Sequence, residues 1–228
     1  MSVITTSVTT NSSLAILKVL KEMLKTGWTL DEENAILWKD SPAAFPVGIK
    51  AHTTSSTEYI RPVVKGADGN PYYSTSTTGV AYSFSNSSTV TYYISVYTSP
   101  NGSIAIGFST SSKVIEPHLL IAKNSNTDST KPTYIIYGFQ ASCLLIPGIS
   151  TIANTPNLNV SYTSQFYAAT WSLVNAFDMY TGTALADIYF LAARQESIIP
   201  SVLVNGNNKY IKMFMQSSNA SVMYMRYV

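Results

Sequence analysis

Val90-Thr91-Tyr92-Tyr93-Ile94-Ser95-Val96-Tyr97, then Ser99-Pro100-Asn101-Gly102, then Ser103-Ile104-Ala105-Ile106-Gly107-Phe108 is the stretch that decides the fold. Tyr92, Ile94 and Val96 alternate with Thr91, Tyr93, Ser95 and Tyr97, the period of two that belongs to a strand. Pro-Asn-Gly supplies a turn, and the apolar run after it supplies the returning strand. The middle of the chain is antiparallel β.

The same grammar extends in both directions. Residues 117–123 and 132–139 read as a second strand pair around the polar loop 124–131, which is expected to be exposed and mobile. Residues 44–51 and 58–65 read as strands, the second ending in the turn cluster Gly66-Ala67-Asp68-Gly69-Asn70-Pro71. Residues 28–38 read as a hairpin whose tip, Asp31-Glu32-Glu33, is a solvated acidic turn rather than a cation site, because it lacks calcium-loop spacing.

Ahead of that hairpin lies one helix, residues 12–26. Leu14, Leu17, Leu20 and Leu24 recur at helical spacing, and Ile16, Val19 and Met23 widen the apolar face. Lys18, Lys21, Glu22 and Lys25 take the polar face. Ser12 or Ser13 is placed to cap the start, Gly27 to take a left-handed position past the end, and Trp28 to pack back on Leu24. Residues 1–11 are polar and β-branched, an arm or an edge strand.

The C-terminal third is less regular. Residues 147–165 read as a long loop or inter-sheet crossing, and residues 165–176 as a short helix or a strand, with Tyr180-Thr181-Gly182-Thr183 as a turn. Residues 188–193, 198–204, 210–215 and 222–228 read as strands, with the turn Asn205-Gly206-Asn207-Asn208 among them. The expected fold is mainly β: a β-sandwich or jelly-roll-like domain with one N-terminal amphipathic helix, a β-rich α+β arrangement. It is read as an arm (1–11) and one domain (12–228), with a candidate sub-boundary near 147–165.

Composition points away from catalysis. The 228 residues hold 14 Lys and Arg, 12 Asp and Glu, two His (His52, His118) and one Cys, against 16 Tyr. Acid–base, nucleophilic and metal-assisted chemistry all need titratable groups held together. A net charge of +2 with scattered cations implies neither nucleic acid nor an anionic membrane. One cysteine forms no internal disulfide, and Cys143, in an apolar run, reads as an inert buried thiol. No secretory signal or long apolar helix is read, and Asn-X-Ser/Thr triplets such as those at Asn11, Asn86, Asn159 and Asn219 are attributed to chance in an Asn- and Ser-rich chain.

No phosphate-binding Gly loop, dinucleotide fingerprint, His-Glu-x-x-His or Gly-x-Ser-x-Gly occurs. No cofactor and no metal are expected, and a Cys143–His118 dyad is not. The remaining enzymatic candidate is a pair from Asp178, Asp187 and Glu196, since a glycosidase needs only two carboxylates. Trp171, Tyr180 and Tyr189 lie in the same region and are the candidate glycan or partner contacts, set against packing of tyrosines between sheets. Tyr, Ser, Thr and Asn suit adhesive or permanent interfaces, because Tyr brings contact area at low entropic cost.

Three stretches carry a resemblance. The first is the leucine-rich helix ending in Gly27-Trp28-Thr29. The second is the central pair Ile104-Ala105-Ile106-Gly107-Phe108 and Tyr134-Ile135-Ile136-Tyr137-Gly138-Phe139. The third is the ending Val202-Leu203-Val204-Asn205-Gly206, Lys209-Tyr210-Ile211-Lys212 and Ser221-Val222-Met223-Tyr224. This order resembles virion structural proteins of tailed bacteriophages. The resemblance covers both ends and the middle and leaves residues 147–187 unmatched. It implies a non-enzymatic tail, baseplate or fibre-attachment component, assembled in the bacterial cytoplasm into a homo-oligomer with other virion proteins. Receptor or host-polysaccharide binding and capsid decoration are the alternatives.

Overall fold

The structure, a computed structural model, describes residues 3–40, 46–66, 68–75, 80–111, 115–125, 132–139, 143–145, 158–168, 171–178, 183–193, 200–213 and 222–228. For 143–145, 158–168, 171–178, 183 and 191–193 the description covers backbone only.

In chain order the elements are β1 (Val3–Thr10), α1 (Ser13–Leu24), β2 (Trp28–Asp31), β3 (Ile36–Lys39), β4 (Val47–Thr53), β5 (Thr57–Lys65), β6 (Pro71–Tyr72), β7 (Tyr82–Ser85), β8 (Val90–Thr98) and β9 (Ile104–Ser109). Then follow β10 (Leu119–Lys123), β11 (Tyr134–Gly138), β12 (Cys143–Leu145), β13 (Leu158–Ala168), β14 (Trp171–Asp178), β15 (Thr183–Ala193), β16 (Val202–Asn205), β17 (Asn208–Lys212) and β18 (Met223–Arg226). The protein is mainly β, with one helix among the described residues and antiparallel sheets, the class read from the sequence.

Among the described residues the strands form three sheets rather than the two of a simple sandwich. The central sheet runs β1-β8-β9-β10-β11-β12. A second runs β2-β3-β4-β5-β6, with β7 also on β5, and a third runs β13-β14-β15-β18-β17-β16. The central sheet buries both faces. Ile94, Val96, Ile106, Phe108, Leu119, Ile121 and Ile136 join a core with α1 and the second sheet. Tyr97, Ala105, Leu120, Ala122, Ile135 and Tyr137 join another with Ile188, Phe190, Ile211, Met223 and Met225 of the third sheet. Burial on both sides is why β9 and β10 read as continuous apolar runs.

Helix α1 lies against the second sheet and buries Ile16, Leu17, Leu20 and Met23. Each buried apolar side chain contributes roughly 1.5–3 kcal/mol. The helix stops at Leu24, two residues short of the sequence reading. Lys25, at φ +54, makes the first left-handed step and donates its N–H to Lys21 O (2.9 Å); Gly27, at φ +82, makes a second. Trp28 is 3% exposed and shares the first core with Leu24. The start also differs from expectation: the Ser12 side chain makes no cap bond, and Ser13 is the residue engaged.

Other corrections are local. Part of the expected loop 147–165 is strand, because β13 begins at Leu158; residues 146–157 lie outside the described residues. The helix-or-strand question over 165–176 resolves as strand in β13 and β14. Thr183 opens β15 rather than closing a turn. Asn124, expected in an exposed loop, is 3% exposed: its side-chain amide donates to Pro132 O (2.6 Å), and it bridges to Leu185. Residues 1–11 supply β1, paired with β8 along its whole length. The acidic hairpin tip stands as read, with Asp31 accepting the backbone N–H of Asn34 (3.0 Å) and exposed Glu32 bridging to Lys18. No helix among the described residues is long and apolar enough to cross a membrane.

Candidate functional site

Asp187 is the one sequence-nominated carboxylate that the structure turns into a site. The pairing of β14 with β15 slips between Asn175–Tyr189 and Phe177–Ala184, which leaves extra residues on β15. Asp187 stands in that irregularity at φ +63, a left-handed conformation that Asp tolerates better than most residues. Its side chain is 2% exposed. A carboxylate buried that deeply needs partners. Arg226 on β18 donates Nη2–H (2.6 Å) and Nε–H (3.0 Å) to Oδ1. Asn101, at the β8–β9 hairpin tip, donates its backbone N–H to Oδ2 (3.0 Å) and its amide to Oδ1 (3.2 Å).

The Asn101 bonds join the central sheet to the third sheet, and the Arg226 bonds tie β18 to β15 within the third. Ser103 adds a hydroxyl bond to Ala186 O (2.7 Å), and Ser125 donates N–H (2.9 Å) and hydroxyl (2.8 Å) to Ala184 O. Around the seam opens a cleft of about 760 Å³ lined by Asn101, Asp187, Tyr189 and Arg226. Tyr189 meets Tyr210 edge-on at 5.7 Å, and burial raises both hydroxyls above their ordinary pKa. Burial pulls Arg226 downward, but its hydrogen bond and charge contact with Asp187 outweigh that and hold it above the usual value.

The other nominated residues do not gather at this cleft in any way the structure describes. Trp171 pairs with Ala168, whereas Tyr189 pairs with Asn175. Four residues along β14 separate the two rows, roughly 13 Å at strand rise. Asp178 pairs with Thr183 at the other end of β14. The side chains of Trp171 and Asp178, and residues Tyr180 and Glu196 altogether, lie outside the described residues. Cys143 pairs with Gly138 in β12, and its thiol likewise lies outside them.

Sequence reasoning missed Arg226 and Asn101. The available signal was Asp187 itself, one acid in the otherwise apolar Ala184-Leu185-Ala186-Asp187-Ile188, which demands a partner without saying where it is.

The two histidines sit apart. His118 packs among Tyr82 and Phe108, with centroids at 5.1 and 6.2 Å, and its Nδ1 accepts the Phe108 N–H (3.3 Å). Burial pushes its pKa down to about 4, so the ring is neutral near pH 7. His52 stacks with Tyr59 (5.9 Å) on the second sheet. Among the described residues no three His, Cys, Asp or Glu side chains cluster as metal ligands would.

A second concavity of about 650 Å³ runs beside β1, between the central and third sheets, with Thr5, Ser7, Tyr93, Val202 and Ile211 on its walls. It contains no Lys, Arg, His, Asp or Glu. Comparison with protein-family models, curated proteins and solved structures finds no match to this chain.

Proposed function

We propose that the chain is a non-enzymatic structural component of a tailed-phage particle, in its tail, baseplate or fibre-attachment region, and that it works by assembling with other chains. One observation carries the non-enzymatic half of this reading: Asp187, buried in an irregular strand beside a cleft, has its oxygens engaged by Arg226 and Asn101. The same use recurs at Glu58, engaged by Ser13, and at Glu116, which accepts the Ser201 hydroxyl (2.6 Å) and pairs with Lys212 (2.9 Å). Carboxylates spent on holding sheets and helix together leave surface as the working part. The particle assignment rests on the helix, Gly-Trp and strand order in the sequence.

Immunogold labelling of purified particles from producing cells tests it. Label at a fixed place on the tail or baseplate is the expected result; particles without label end the reading. Label on the head would move the chain to the capsid-decoration alternative.

The cleft favours one second reading, a glycan contact. Tyr189, Asn101 and the edge of Arg226 combine an aromatic ring with fixed hydrogen-bonding groups, the chemistry that holds a sugar. Loss of polysaccharide pull-down in Tyr189→Ala, with unchanged folding, would favour it; no pull-down by the wild type would remove it.

A further inference from the structure

We propose that the outer edge of β1, together with the groove beside it, receives β1 of a second copy of this chain. The inference rests on the assembly reading above and names the surface and the partner.

Strand β1 is Val3-Ile4-Thr5-Thr6-Ser7-Val8-Thr9-Thr10. All eight residues pair with β8 in an unbroken register, from Val3–Tyr97 to Thr10–Val90. That makes β1 the first strand of the central sheet, and among the described residues no strand pairs its other side. An edge of this length offers a row of backbone donors and acceptors to any strand that fits. Edges that must stay single carry Lys, Pro, a bulge or an inward charge. β1 has none of these, and seven of its eight residues are β-branched. Ile4 is 42% exposed there.

Charge narrows the partner. The groove flanking β1 is walled by hydroxyls, tyrosines and aliphatic side chains, with no charged residue. A charged strand entering it would lose hydration with nothing to replace it. β1 itself is uncharged and built only of small hydroxyl-bearing and aliphatic side chains, so it suits the surface it would meet. Antiparallel pairing of β1 with its own copy is isologous: one surface serves both chains, and the contact closes on itself. The two central sheets then continue through the interface, and backbone bonds carry the affinity as in strand-addition complexes.

The experiment uses the full chain. Light scattering at tens of micromolar should give twice the 24.8 kDa chain mass. Ile4→Lys/Thr9→Lys and Ile4→Glu/Thr9→Glu place like charges on both ends of the edge. Each should weaken self-association at least about tenfold, with circular dichroism unchanged, and an equimolar mixture should recover it. A wild type that stays at the single-chain mass overturns the proposal, as does association that ignores both double variants. A chain that pairs through β1 but is absent from labelled particles retires the particle reading alone. A labelled particle protein whose association ignores the variants retires this surface alone.

Discussion

Glu58 caps the helix that Ser13 begins. One oxygen of the buried Glu58 carboxylate accepts both the Ser13 backbone N–H (2.7 Å) and the Ser13 hydroxyl (2.5 Å). The first turn of α1 contains no acidic residue of its own, so a strand 45 residues away supplies the anion that the helix N-terminus favours. The contact ties α1 to β5 as well as satisfying an orphan donor.

Glu58→Gln keeps an acceptor but loses the charge, and should cost about 1–2 kcal/mol. Glu58→Ala leaves the Ser13 N–H and hydroxyl buried without their acceptor, and should cost about 2–3 kcal/mol. Denaturant midpoints at constant slope measure both. Equal effects would mean that the neutral acceptor kept by Gln contributes nothing and that the carboxylate charge carries the contact.

The Asp187–Arg226 pair predicts an ordered series. Asp187→Asn keeps a residue that accepts the left-handed backbone and a bond to Asn101, and should cost about 1–2 kcal/mol. Asp187→Ala strands the partly buried Arg226 guanidinium and puts an alanine at a left-handed φ of +63, and should cost about 3 kcal/mol. Arg226→Met, removing the cation, should make Asp187→Ala far less damaging in the double variant, because the two act as one unit. Thermal and denaturant unfolding of the four proteins test the cycle.

Burial of His118 predicts an acid limb in stability. Its folded pKa of about 4 lies below the unfolded value of 6.5. The unfolded chain therefore binds the proton first as pH falls. Stability from this group is complete above about pH 6.5 and is lost between there and about pH 4, to a total of about 3 kcal/mol. His52 is depressed in the same direction, by burial and then by Arg61 and Lys50, so the comparison must be made against a variant. His118→Gln should flatten this part of the curve; an unchanged slope would show that the acid limb arises elsewhere.

Close packing at Gly107 predicts a steric cost. A Cβ there would stand 2.5 Å from Ile115 Cγ2 and 3.0 Å from the Glu116 carbonyl oxygen. Gly107→Ala should destabilise by about 2–3 kcal/mol. Ile115→Ala in the same chain should recover part of that, since it removes one of the clashing atoms; additive losses would refute the contact.

The amino-acid sequence by itself determined the strands with clear period and punctuation, and the helix with its apolar face. Tyr92-Ile94-Val96 and Leu17-Leu20-Leu24 announce their geometry through spacing alone, because side-chain direction follows backbone repeat. The tertiary structure decided what spacing does not encode. A two-faced central sheet needs a second core, and a continuous run such as Leu119-Leu120-Ile121-Ala122 does not say which residues face which layer. Asp187 reads as a candidate acid until Arg226 and Asn101 arrive from distant strands, 39 and 86 residues away, and make it a clamp. The helix cap is remote for the same reason: a buried charge takes the partner that folding brings to it, and chain separation places no limit on that.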